Sequence, residues 1–180
     1  VLEHYLRGLS GRSLSIKASN EPFTDTETLW LPPVIHQYPS KLQNFTLYKA
    51  IAAHLWAQIR HGTFRRASPD ARLLSERLDH YPDPARARRL FSSLETRRLD
   101  ACITRDLPGL AREMRALFAN DAATQLTPAW KIAIDEVERD SSSVNDTLTQ
   151  LDRVYTDTGP APTRPWQGTL QPEQVEAVTS

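Results

Sequence analysis

Tyr48-Lys49-Ala50-Ile51-Ala52-Ala53-His54-Leu55-Trp56-Ala57-Gln58-Ile59-Arg60-His61-Gly62-Thr63-Phe64 is the stretch on which the fold turns. Leu47, Ile51 and Leu55 recur at helical spacing, which predicts a helix of about 20 residues from near Leu42 to Arg60, closed by Gly62. His54 and Gln58 stand four apart, so they project from one face of that helix. A zinc peptidase presents His-Glu-x-x-His at such a place. Here the glutamate position is Leu55 and the second histidine position is Gln58, whose neutral amide oxygen is a poor zinc ligand. The helix is therefore expected to be non-catalytic, with no metal and no cofactor bound by this chain.

Towards the N-terminus, residues 2–9 read as a short helix stopped by Gly8 and Gly11. Residues 13–17 and 26–31 alternate polar with apolar, and turn formers lie between them, which predicts a β-hairpin ended by Pro32-Pro33. A lone hairpin is marginal in water, so its Leu14, Ile16, Leu29 and Leu31 are expected to pack on helices.

Towards the C-terminus the pattern is helical. A short helix is predicted from Asp70 to Leu78 behind Ser68-Pro69, then a long one from Pro84 to Thr104 capped by Asp83. The stripe of the long helix is Ala87, Leu90, Phe91, Leu94, Ala101 and Cys102. Further helices are expected from Leu110 to Phe118, from Thr127-Pro128 past Asp140, and from Asn145 to Tyr155, the last two split by Ser141-Ser142-Ser143. The expected fold is α+β, predominantly α: a helical bundle with a small N-terminal β-hairpin, forming one globular domain over residues 1–157. Residues 158–180 read as a Pro-rich extended linker followed by a terminal helix from Glu173 to Val178.

The chain has 180 residues, 39% of them apolar, enough for one domain with a real core. Cys102 is its sole cysteine, which excludes an internal disulfide and favours a reducing compartment. The longest weakly polar run is broken by His54 and Gln58 and falls short of the roughly 20 residues a bilayer span needs, so no transmembrane helix is expected. Net charge is zero but unevenly spread: six cations against four anions in residues 1–60, twelve against eight in 61–120, and four against ten in 121–180. The arginines are interspersed with acids and lack an aromatic platform, which argues against nucleic acid. No Gly-rich phosphate loop is present, so ATP binding in the P-loop manner is excluded.

Arg98 is the anomaly of the long helix, since it sits on the apolar stripe between Leu94 and Ala101 with Glu95 three residues earlier. Two readings arise. In one, Glu95 joins His54 and Gln58 as a third ligand; in the other, His54, Gln58, Glu95 and Arg98 form a buried polar cluster, a vestigial site that fixes how the two helices pack. One imidazole, one amide and one carboxylate favour the cluster.

Several strings together resemble the N-terminal region of the CbbO/NorD family. They are Tyr5-Leu6-Arg7-Gly8-Leu9-Ser10-Gly11-Arg12, Pro22-Phe23-Thr24-Asp25-Thr26-Glu27-Thr28 leading to Leu31-Pro32, Leu47-Tyr48-Lys49-Ala50-Ile51-Ala52-Ala53-His54, Gly62-Thr63-Phe64, Leu90-Phe91-Ser92-Ser93-Leu94-Glu95-Thr96-Arg97-Arg98 and Trp166-Gln167-Gly168-Thr169-Leu170-Gln171-Pro172-Glu173. The resemblance, nearer to CbbO, implies a cytoplasmic bacterial adaptor in a Rubisco activase. A hexameric MoxR-type AAA+ ATPase (CbbQ) would supply force and hold ATP and magnesium, and Rubisco would be the client freed of inhibitory sugar phosphates. A NorD-like activation protein for nitric oxide reductase is the alternative. It also implies a C-terminal von Willebrand factor A domain, which this sequence does not contain, and a degenerate zincin-like fold around His54. A zinc metallopeptidase with a degraded helical site is the reading of a different class. For an adaptor, the basic middle of the chain offers Arg65, Arg66, Arg86, Arg88 and Arg89 as a candidate surface for an acidic partner.

Overall fold

A computed structural model describes residues 2–11, 14–119 and 124–179. The stretch around His54 forms α2 (Lys41–Arg60), preceded by α1 (Leu2–Ser10). Ser40 caps α2, its hydroxyl accepting from the Gln43 amide at 3.4 Å. The chain leaves through Gly62 at φ +68°, with the Thr63 amide donating to the Gln58 carbonyl at 3.0 Å. Glycine takes that left-handed conformation without steric cost, and the amide bond reaching back five residues closes the helix end. Every residue from Ala50 to Ala57 is buried, which makes α2 a core helix surrounded on all sides. α1 runs through Gly8, where a stop was expected, and ends at Gly11 with φ +64°.

The strands β1 (Ser15–Ala18), β2 (Phe23–Thr24) and β3 (Thr28–Leu31) form one sheet in the order β1-β3-β2. The expected hairpin between the first and last of these is corrected. They do pair, Ser15 opposite Thr28 through Ala18 opposite Leu31, but in parallel. The antiparallel partner of β3 is β2, which the alternation did not reveal. The turn explains the difference. Asp25 Oδ1 accepts from the Glu27 amide at 3.0 Å and the Thr28 amide at 2.7 Å, while Thr24 Oγ1 accepts from the Thr26 amide at 3.0 Å. Side chains that bond their own backbone in this way set a tight turn, so the reversal falls at 25–27 and seats Phe23 flat on Trp30, ring centroids 5.4 Å apart. Leu29 and Leu31 are fully buried and Leu14 and Ile16 partly, so the sheet packs on the helices as anticipated.

After α2 come α3 (Leu74–Asp79), α4 (Pro84–Asp106), α5 (Pro108–Phe118), α6 (Pro128–Val137), α7 (Val144–Tyr155) and α8 (Pro172–Thr179). Asp83 caps α4 as predicted, accepting from the Arg86 amide at 3.0 Å. α3 starts four residues later than expected, because 68–71 form a turn and the Glu76 carboxylate accepts from the Leu73 amide at 2.9 Å. α6 was expected to continue past Asp140 but ends at Val137, whose carbonyl accepts from the Ser142 hydroxyl at 2.6 Å. Ser143 then caps α7, with the Asp146 carboxylate accepting from the Ser143 amide at 2.7 Å.

Two apolar cores result. One gathers α1, β3, α2, the end of α4 and α5; the other gathers α3, the start of α4, α6 and α7. α4 runs through both, with Leu90, Phe91 and Leu94 in the second and Leu99 and Ile103 in the first. Residues 158–171, read as an extended linker, lie along this body. Trp166 enters the first core, Ala161 and Leu170 rest on the second, and the Thr169 amide donates to the Pro22 carbonyl at 2.9 Å. Gly168 passes so near Pro22 that a Cβ there would stand 2.6 Å from its carbonyl oxygen. Among the described residues no helix is long and apolar enough to cross a membrane.

Candidate functional site

α4 carries two carboxylates that face inward. Glu95, 2% exposed, is held by Arg98, which is 2% exposed too. Arg98 Nη2 donates to Glu95 Oε1 at 2.5 Å and Arg98 Nε to Oε2 at 3.0 Å, a two-pronged grip along one turn of helix. The Thr63 hydroxyl donates to Oε1 at 2.6 Å and the Thr147 hydroxyl to Oε2 at 2.7 Å. Arg98 Nη2 also donates to the His61 carbonyl at 3.1 Å. Burial pushes the Arg98 guanidinium down, but the hydrogen bonds and charge of Glu95 outweigh it and hold it above the ordinary arginine value. With a guanidinium and two hydroxyls on its oxygens, Glu95 joins the end of α2, α4 and α7.

Asp100 serves a different set. His54 Nε2 lies 2.8 Å from Asp100 Oδ1, and the Trp166 indole N–H donates to the same oxygen at 2.9 Å. Arg164 Nε stands 3.7 Å from Oδ2. The Arg164 guanidinium lies over Phe118, 4.4 Å from the ring centroid, and burial with the nearby charge of Arg97 holds it below the ordinary arginine value. His54 is itself buried, with Trp166 beside its ring at 6.3 Å between centroids. The pair orients the imidazole as a carboxylate orients a catalytic histidine, but the ring is enclosed by protein.

The four residues expected to cluster are thus divided. Glu95 and Arg98 meet as anticipated, His54 bonds Asp100, and Gln58 is half-buried. His54, Gln58 and Glu95 share the wall of a cavity of about 10 Å³, closed by Gly168 and Leu170, which is room for a single water at most. Among the described residues no three of His, Cys, Asp or Glu stand together as a metal-holding group. Asp100, Thr63, Thr147, Trp166 and Arg164 are the participants that sequence reasoning missed. Thr63 follows the His54 helix and Trp166 lies in the 166–173 string, but nothing local marks either as the partner of a carboxylate on α4. Cys102 lies buried in α4 as expected, and burial raises its thiol above the ordinary value.

Beside Asp100 a cleft of about 360 Å³ opens between α4, α5 and the 164–166 segment. Its arginines are largely spoken for: Arg97 pairs with Glu138 at 2.9 Å and Arg105 with Asp140 at 3.1 Å. The basic middle and acidic end of the chain therefore meet within the fold. Two of the five candidate surface arginines are also engaged within the fold, one by carboxylates and one by backbone carbonyls. Arg88 bridges Asp79 at 2.8 Å and Glu173 at 2.5 Å, and Arg86 donates to the Tyr155 and Asp157 carbonyls at 3.1 and 2.7 Å. Arg65, Arg66 and Arg89 face solvent.

No protein-family model matches the chain, and neither does any curated protein or solved structure.

Proposed function

We propose that this chain is a non-catalytic adaptor module of a Rubisco activase, linking a MoxR-type AAA+ ATPase to Rubisco for release of inhibitory sugar phosphates. The resemblance of its strings to the CbbO/NorD family supplies the identity of motor and client. The observation that carries the non-catalytic part is the saturated Glu95. Its oxygens already take Arg98, Thr63 and Thr147, so the carboxylate that the sequence offered as a third ligand beside His54 and Gln58 serves as a structural joint. A buried ion pair bonded to three elements suits a rigid body that transmits force between two partners. ATP and magnesium belong to the motor in this reading, and Arg65, Arg66 and Arg89 are the candidate surface residues still directed outward.

The test is reconstitution. The chain, alone and continued into a von Willebrand factor A domain, is mixed with a CbbQ-type ring ATPase and with sugar-phosphate-inhibited Rubisco. Co-purification with the ring and ATP-dependent recovery of carboxylation support the reading. Absence of both from either form, or stoichiometric zinc with a peptidase activity lost in His54→Ala, overturns it.

A further inference from the structure

Most arginines that face a neighbouring element in this fold are matched by a carboxylate: Arg88 by Asp79 and Glu173, Arg97 by Glu138, Arg98 by Glu95, Arg105 by Asp140. One hollow breaks the rule. It measures about 210 Å³, lies between the loop after α2, α3 and α7, and has Arg65, Arg66, Arg72 and Arg77 in its wall. All four are exposed. No carboxylate of the described residues lines it. Arg66 donates to the Pro69 carbonyl at 2.8 Å and Arg77 to the Asn145 side-chain oxygen at 3.5 Å, both neutral acceptors. The adjoining hollow shares Arg72 and Arg77, and its one carboxylate, Asp152, already accepts from the Tyr81 hydroxyl. Below the guanidiniums the floor is apolar, with Leu74 and Leu148 at its base.

Four cations around one depression repel one another, and no carboxylate in its wall supplies compensation; Asp152, in the adjoining hollow, stands only beside Arg72 and Arg77. An acidic partner supplies it. The apolar floor then selects among anions. A free phosphate gains nothing from Leu74 and Leu148, whereas a peptide carrying an apolar side chain between acidic ones satisfies floor and rim together. We propose that this hollow docks an acidic peptide segment of a partner protein, with one apolar side chain on Leu74 and Leu148 and flanking carboxylates on Arg65, Arg66, Arg72 and Arg77. The partner's identity as motor or client rests on the adaptor reading; the binding chemistry rests on the hollow.

The probe is a dye-labelled peptide with one leucine flanked by three aspartates or glutamates on each side, followed by fluorescence anisotropy. Saturable binding that weakens at least about tenfold in the Arg65→Glu/Arg72→Glu double variant, and is unchanged in Arg89→Glu, is the expected result. Replacing the peptide's leucine with serine is expected to weaken binding several-fold. No binding up to about 1 mM peptide overturns the proposal. So does equal affinity in the double variant, or displacement by inorganic phosphate as effective as by unlabelled peptide. Circular dichroism of the double variant checks that it folds. Ring assembly and ATP-dependent Rubisco recovery that both survive the double variant sink this docking site and leave the adaptor reading standing. Peptide binding lost in the double variant, with no ring assembly by any form of the chain, does the reverse.

Discussion

Glu95 and Asp100 stand five residues apart on one helix and differ in what closes over them. The Glu95 side chain is 3% exposed and meets a guanidinium and two threonines from neighbouring elements; that of Asp100 is 20% exposed and meets an imidazole, an indole and a loosely placed arginine. The first carboxylate joins the two cores, because its partners come from the end of α2 and from α7. The second ties the 158–171 segment to the body through Trp166. Depth decides the role: a fully buried charge needs every lone pair satisfied, while one at the rim tolerates partial pairing with solvent nearby.

The comparison breaks most directly at Glu95. Glu95→Ala strands the Arg98 guanidinium in the interior and is expected to cost about 3–5 kcal/mol in urea unfolding. Glu95→Leu combined with Arg98→Met removes both charges and is expected to lose less than the single change. A double variant as unstable as the single one contradicts the account of a buried pair. Asp100→Asn comes next, at about 1–3 kcal/mol, since the His54 and Trp166 bonds lose their charged acceptor. Limited proteolysis checks where the loss falls, with faster cleavage expected within 158–171 and no change near Thr147.

Smaller effects sharpen the picture away from the two carboxylates. Asp83→Ala removes the cap of α4 and is expected to cost about 1 kcal/mol by thermal melting. The Arg88–Glu173 pair lies at the surface, so its loss in Glu173→Gln is expected to stay below about 1 kcal/mol and to fade in high salt. Arg88 holds the Glu173 carboxyl below its ordinary value. Its contribution is therefore fully present above the ordinary carboxylate range and disappears as pH falls through the lowered folded-state value. Acid titration of wild type against Glu173→Gln checks the sign, because the difference between them closes at low pH.

Much of the framework was legible because it depends on neighbours in sequence. Asp83 before Pro84 and Gly62 after Arg60 announce helix ends with mechanisms that act within a turn, and Glu95 with Arg98 is an i,i+3 pair on one face. What escaped was set by distance. The register of β1 against β3 depends on which strand the Asp25 turn delivers, and alternation alone does not distinguish parallel from antiparallel neighbours. The end of α6 hinged on the Ser142 hydroxyl competing for the Val137 carbonyl, one of three consecutive serines. The partner of His54 lay 46 residues away and the indole that shares it 66 residues beyond Asp100. No local period connects them, so the sequence pointed to Glu95 and not to Asp100 as the carboxylate beside His54.

A double-mutant cycle in urea on His54, Glu95 and Asp100 tests the central claim, that the polar residues of the His54 helix and α4 form two separate structural joints. The account predicts a coupling of about 1–3 kcal/mol between His54→Ala and Asp100→Ala, and additivity within about 0.5 kcal/mol between His54→Ala and Glu95→Ala. Strong coupling of His54 to Glu95, with additivity towards Asp100, would contradict it.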